Sequence, residues 1–250
     1  MRSRVTLLAA VVAVAGFADA QAQAQNLRDG LFGQRPSDGR RRAPPPVARY
    51  VSEEGAAFTL DRSGGRPLLK FDSSSEVWAL QAQPAPRGDV IYKNDLGDPV
   101  LRATRLGGLT LFTEARPGGT AVALAGNGQP IKLAPLGPQA LLERLAQASA
   151  RASRASKRLI PFEADAGPGS APVVADAAFI MADAVARLSK TAEGRAMLSR
   201  LNRVTLVEGK KTGATLDQGV MRITVVGSLG PAGRPSSERL IAVLDGPDRR

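Results

Sequence analysis

The side chains that could carry chemistry in this 250-residue sequence are carboxylates, hydroxyls, lysines and arginines, because it contains neither histidine nor cysteine. Without histidine there is no Ser-His-Asp triad, no His-Glu-x-x-His zinc site and no histidine general base. Without cysteine there is no disulfide frame, thiol nucleophile, iron–sulfur cluster or lipobox cysteine. Any metal would rest on oxygen ligands alone, which suit Mg²⁺ or Ca²⁺ rather than zinc or iron. Neither a metal site nor a cofactor is expected.

Carboxylates are the remaining acid–base material. Asn94, Asp95 and Asp98 share one turn, and Glu163 and Asp165 share one extended stretch. Two carboxyl groups straddling a glycosidic bond could hydrolyse it, with one held protonated by burial, or the oxygens could hold a weak Ca²⁺. Yet Asp95-Leu96-Gly97-Asp98-Pro99 is also ordinary turn chemistry, and the spacing is not that of an EF-hand. A serine–lysine pair is the other option. None of the seven lysines has a serine three residues before it, so the Ser-x-x-Lys signature is absent; Ser153, Ser156 and Lys157 are close neighbours on an arginine-rich helix. Gly209-Lys210-Lys211-Thr212 ends like a phosphate-binding loop, but Val204 stands where the first glycine is required. We read it as a hairpin tip with solvated lysines. Arg87-Gly88-Asp89 spells the integrin tripeptide; among 27 arginines and 26 glycines, chance and turn preference account for it.

The stronger physical lead is a basic helix over 138–159. Leu141, Leu145, Ala148, Ala152, Ala155 and Leu159 recur at helical spacing. Arg144, Arg151 and Arg158 line one flank of that stripe, and Arg154 continues the flank outward. Such a face can lie on an anionic surface or an acidic partner. Alanine fills three of the six stripe positions, so little apolar area would insert, and packing on the domain with a solvated flank is the competing reading. As candidate binding residues we retain Arg144, Arg151, Arg154 and Arg158.

These residues need a scaffold. From Val47 to about Ala134, turn signals recur roughly every ten residues, as in an all-β unit. Short runs such as 57–60, 77–80, 90–92 and 109–112 lie between them. They predict an antiparallel meander closing into a small barrel or sandwich, with Trp78, Tyr92 and Phe112 in its core. Pro161 to Gly169 reads as an extended link. A second helix from Pro172 to about Leu201 buries Ala177, Met181, Ala184 and Leu188, pairs Asp183 with Arg187 on its surface, and can split at Gly194. Strands follow over 204–207, 221–226 and 239–244, with hairpin material around Gly209 to Gly213 and at Asp217-Gln218-Gly219. The class is α+β: a β meander, two amphipathic helices and C-terminal β hairpins.

The N-terminus supplies an address. Arg2 and Arg4 precede thirteen uncharged residues, Val5 to Phe17, and then Ala18-Asp19-Ala20, with further small-x-small steps to Ala22 and Ala24. That is a secretory signal peptide, too short in its apolar run to span a bilayer. Processing after residue 20 leaves 32 basic and 22 acidic residues, a net charge of +10. Residues 21–46 read as a basic Pro/Gln-rich linker, residues 47–136 as the β-rich unit, 137–246 as the α+β unit and 247–250 as a tail. Once exported, so basic a chain meets anionic envelope material or an acidic protein rather than nucleic acid.

Phe71-Asp72-Ser73-Ser74, Glu76-Val77-Trp78, Pro86 to Asp95 and Arg102 to Gly108, read together, resemble exported proteins of Caulobacter-like alphaproteobacteria grouped as domain-of-unknown-function family 4908. The resemblance runs from about Tyr50 to Leu244. It implies an exported bacterial protein and brings no activity or site residues with it. The functional expectation is a non-enzymatic periplasmic or envelope-associated binding protein; the alternative is a carboxylate- or Ser/Lys-dependent hydrolase of cell-wall material.

Overall fold

The computed structural model describes residues 45–246; the expected signal peptide, the expected linker up to residue 44 and the 247–250 tail lie outside the described residues. Nine antiparallel strands come first: β1 (Val47–Ser52), β2 (Ala57–Asp61), β3 (Leu68–Phe71), β4 (Val77–Ala79), β5 (Gln81–Ala85), β6 (Asp89–Lys93), β7 (Pro99–Ala103), β8 (Leu109–Thr113) and β9 (Arg116–Asn127). Their order is β4-β3-β2-β1-β9-β8-β7-β6-β5. The two end strands are successive pieces of one run, separated only by Leu80, whose N–H bonds the Pro67 carbonyl at 2.8 Å. One bent strand therefore serves both edges, and the meander is a nearly closed barrel rather than a sandwich. Closure removes the unpaired edges that an open sheet would expose.

Alternation sets what fills the barrel. Ala48 and Tyr50, Phe58 and Leu60, Leu69, Leu80, Tyr92, Leu101 and Leu111 are buried inside. Tyr50 stacks on Phe58 at 5.6 Å, Phe71 meets Phe58 edge-on at 5.7 Å, and Trp78 meets Phe71 edge-on at 6.1 Å. Of the three expected core aromatics Tyr92 is buried, whereas Trp78 and Phe112 are only half-buried. Upstream, Pro45 and Pro46 are held by Arg62, which donates to their carbonyls from its side chain and backbone N–H.

An extended stretch leads from β9 to α1 (Pro138–Ser156). Proline at N1 presets the first turn, and Lys157 in the left-handed region (φ 55°) ends the helix. Leu145, Ala148 and Ala152 are buried, but Leu159 lies beyond the helix end and is 78% exposed, so the stripe stops at Ala155. The expected link from Pro161 to Gly169 contains a strand, β10 (Phe162–Asp165). Then come α2 (Ala171–Leu188), α3 (Ala192–Leu198), β11 (Arg203–Glu208), β12 (Gly213–Asp217), β13 (Val220–Val225) and α4 (Ser237–Asp245). The break between α2 and α3 falls at Ser189–Thr191, ahead of Gly194. Gly194 is required for close approach: a Cβ there would sit 2.1 Å from the Leu188 carbonyl oxygen.

The second sheet has the order β10-β11-β13-β12, with β10, β11 and β13 parallel and β12 antiparallel to β13. Only β12 and β13 form a hairpin, through Gln218 and Gly219. Gly209 to Thr212 instead carries the chain from β11 past the end of β13 to β12, so it is not a hairpin tip. The stretch 239–244, expected as a strand, is the helix α4. Ile241 and Val243 gave it a β-like composition, but Leu240 and Leu244 are the fully buried positions, one turn apart, and the Ser236 hydroxyl caps the helix by accepting from the Arg239 N–H at 3.1 Å. Helix α2 is buried nearly all round between α1, the sheet and α4, and its alanines let these neighbours come close. Among the described residues no helix is long and apolar enough to cross a membrane.

Candidate functional site: a cationic cleft beside the barrel

The connection from β13 to α4 makes the junction with the barrel. Gly233 turns tightly there; a Cβ would meet the Val226 carbonyl oxygen at 2.1 Å. The next residue, Arg234, has a side chain only 1% exposed. Its guanidinium bonds Asp176 of α2, the Val77 carbonyl at 3.2 Å and the Pro235 carbonyl at 3.2 Å, with Glu76 at 3.8 Å. Glu76, itself buried, accepts from the Ser237 N–H at 2.8 Å and the Ser237 hydroxyl at 2.5 Å. Asp95 accepts from the Ser236 N–H at 2.8 Å and its hydroxyl at 2.6 Å. Two carboxylates from barrel loops thus cap the N-terminus of α4, where the helix dipole favours negative charge. Asn94 donates to Glu238 at 3.0 Å. Burial pushes the Glu238 carboxyl above the usual carboxylate range; the Asn94 bond opposes that and the neighbouring Glu76 charge adds to it.

Next to this buried network lies a cleft of about 560 Å³, a size that suits a small ligand. Arg66 from the β2–β3 loop, Lys210 and Lys211 from the β11–β12 connection, and Arg239 from α4 line it, together with Trp78 and Gln81. None of these four cations has a hydrogen-bonding or ion-pair partner for its side chain among the described residues. Asp95 is the one carboxylate in the lining, and both of its oxygens are already engaged by Ser236. Four cations against one carboxylate leave a net positive charge in the concavity, which focuses a positive potential there.

The arginines expected along the basic helix stand differently, and Arg158 falls beyond the end of α1, after the Lys157 cap. Arg144 lies over the Phe179 ring, 5.5 Å from its centre. Arg151 pairs with Asp183 at 2.6 Å. That ion pair replaces the expected one between Asp183 and Arg187, because α1 packs directly on α2 and brings the guanidinium across. Arg158 is set beneath the C-terminal end of α3, donating to the carbonyls of Leu198 and Leu201 and, at 3.4 Å, to that of Ser199. Arg154 reaches only the Ala150 carbonyl of its own helix, at 3.3 Å.

The other candidates are dispersed. Glu163 pairs with Arg203 at 3.4 Å. The 94–98 segment is a turn as expected, but the side chain that closes it is Asn94, accepting from the N–H groups of Leu96 and Asp98 at 3.0 and 2.8 Å, while Asp95 faces Ser236. Ser153 accepts from the Ile160 N–H, and Ser156 donates to carbonyls at the end of α1, so both hydroxyls finish the helix. In the Arg-Gly-Asp tripeptide, Asp89 is buried against Arg102 at 2.6 Å and accepts from the Arg105 N–H. The Arg102 hydrogen bond holds its carboxyl below the usual range and leaves it unavailable to a partner. What residue order did not reveal was the cleft itself. Its lining comes from segments as far apart as Arg66 and Arg239, and the usable signal was Lys210-Lys211 beside a glycine.

A nearly closed antiparallel barrel, a mixed sheet wrapped by helices and a cleft lined by basic side chains at their junction define an α+β protein. The chain belongs to the domain-of-unknown-function family DUF4908, whose sequence model matches residues 26–244. No curated protein and no solved structure matches it.

Proposed function

We propose that this is an exported, envelope-associated binding protein that receives an anionic group of an envelope component in the cleft at the barrel junction. The supporting observation is the set Arg66, Lys210, Lys211 and Arg239: four cations lining one cleft, with no side-chain partner among the described residues. Binding rather than hydrolysis fits the lining. Asp95 is its only carboxylate and Ser236 its only serine, and the two are hydrogen-bonded to each other in capping α4. A two-carboxylate mechanism needs a second acid on the opposite side of the bond. Export rests on the N-terminal pattern of Arg2, Arg4, the apolar run and Ala18-Asp19-Ala20.

Two measurements test this reading. Protein recovered from the periplasm should carry a new N-terminus between Gln21 and Gln25 by mass spectrometry; intact Met1 would overturn export. Processed protein should co-sediment with envelope vesicles at 0.1 M salt and be released towards 1 M, as the Debye length falls from about 10 Å to about 3 Å. The variant Lys210→Ala/Lys211→Ala/Arg239→Ala should no longer co-sediment. If it pellets like the parent, the cleft is not the site.

A further inference from the structure

The strand that leaves the cleft has an open edge. β12 ends the second sheet: it pairs with β13 on one side, and no strand pairs with its other side among the described residues. The hairpin decides which backbone groups face outward. Gln218 and Gly219 form its two-residue loop with φ of 45° and 81°, so the flanking Asp217 and Val220 are a hydrogen-bonded pair. The register runs on without a bulge, and bonded pairs alternate with unbonded ones. Gly213, Thr215 and Asp217 therefore bond β13, while the N–H and C=O groups of Ala214 and Leu216 point away from it. No hydrogen bond among the described residues engages those groups. An edge of this kind is a template for another strand, and proteins commonly guard it with charge or proline. At the opposite end of the sheet, β10 follows Pro161 and carries Glu163 and Asp165. β12 has neither charge nor proline from Gly213 to Leu216.

Two concavities lie along β12 and share Arg239 and Val243: the cleft, at Gly213 and Ala214, and a second of about 420 Å³, at Thr215 and Leu216. A strand added to β12 would run beside both. The charge along it is asymmetric, because Lys210, Lys211 and Arg239 attract acids near the start of β12 and the exposed Asp217 repels them at its end. A second copy of this chain would bring a surface of the same net sign. We infer that β12 accepts an extended segment of a partner protein as a further strand, with acidic residues at the end that meets Lys210, Lys211 and Arg239. The inference rests on the anion-binding reading above, makes the anionic group a carboxylate side chain, and adds the backbone pairing to it.

The experiment titrates the processed protein, at about 0.1 M salt, with labelled Glu-Glu-Glu-Thr-Val-Thr-Val-Thr and with the reversed sequence, so that either strand direction is sampled. One of the two should bind by fluorescence anisotropy, and hydrogen exchange at the Ala214 and Leu216 amides should slow. Backbone N-methylation of one alternate set of peptide residues should weaken binding by about tenfold or more, and methylation of the other set should change it little, because only one edge of the peptide meets β12. Ala214→Pro removes an outward N–H and no bond to β13, and should weaken binding several-fold with the circular dichroism spectrum unchanged. If both methylated sets bind like the parent peptide, or exchange at Ala214 and Leu216 does not slow, strand addition is overturned and the anion site stands. The same holds if phosphatidylglycerol vesicles bind and neither peptide does. If neither peptides nor vesicles bind, both readings fall. A dimer in sedimentation that Ala214→Pro dissociates would make a second copy the occupant and overturn the acidic partner.

Discussion

The flank of α1 and the lining of the cleft are both rich in basic side chains, and they differ in what already faces those charges. On α1, Arg144 has an aromatic face and Arg151 a carboxylate, and just past its end Arg158 has the carbonyl end of α3. In the cleft, Arg66, Lys210, Lys211 and Arg239 have no comparable side-chain partner among the described residues. A guanidinium that satisfies helix carbonyls or a carboxylate is part of the fold and has little left for a ligand. A cluster of cations without partners is the opposite case: it adds little to the fold and leaves a field for something else to neutralise. Density of arginine along a helix therefore does not by itself show which charges are left without partners; the distribution of partners does.

Arg234 is the extreme of the paired kind, and its removal should have the largest effect. Arg234→Ala leaves Asp176 and Glu76 facing each other's surroundings without the guanidinium between them, a loss of about 3–5 kcal/mol for a broken buried pair. Thermal or denaturant unfolding should show that loss. A change under 1 kcal/mol would mean that the junction does not depend on this network. Arg158→Ala comes next. Exposing the last carbonyls of α3 should cost about 1–2 kcal/mol, whereas Arg154→Ala, which touches only its own helix, should stay within about 0.5 kcal/mol. Equal midpoints for the two variants would erase the distinction between partnered and solvated arginines in and just after α1.

The strands of the barrel and the first two helices were legible in the sequence because their signals are local. Turn residues every ten positions mark a meander, and a stripe at helical spacing marks α1 as far as Ala155. Closure was not legible: it depends on β4 and β5 being one strand bent at Leu80, and neither piece alone specifies two partners. The helix α4 was missed because Ile241 and Val243 outweighed the Ser236 cap in a nine-residue segment. The parallel pairing of β10, β11 and β13 depends on what α2 packs against, which residue order does not state. The cleft was not legible for the same reason. Its cations are far apart in the chain, while the four clustered arginines that drew attention were claimed by partners on α2 and α3 or by their own helix.

The smallest effect on stability belongs to the cleft, and its sign is the sharpest test of the comparison. Like charges held together repel, and Lys210 and Lys211 have no side-chain partner among the described residues to compensate. Replacing both by alanine removes no hydrogen bond of the fold, so the midpoint should stay the same or rise, within about 0.5 kcal/mol for exposed positions. Added salt should move the parent protein in the same direction by screening that repulsion, and should do less in the double variant. A ligand that fills the cleft should stabilise the parent by about 2.7 kcal/mol at a hundredfold excess over its Kd and leave the double variant nearly unmoved. If Lys210→Ala/Lys211→Ala instead loses stability as Arg158→Ala is expected to, these lysines have structural partners after all. The contrast between the two basic regions, and the cleft as a binding site, would then go together.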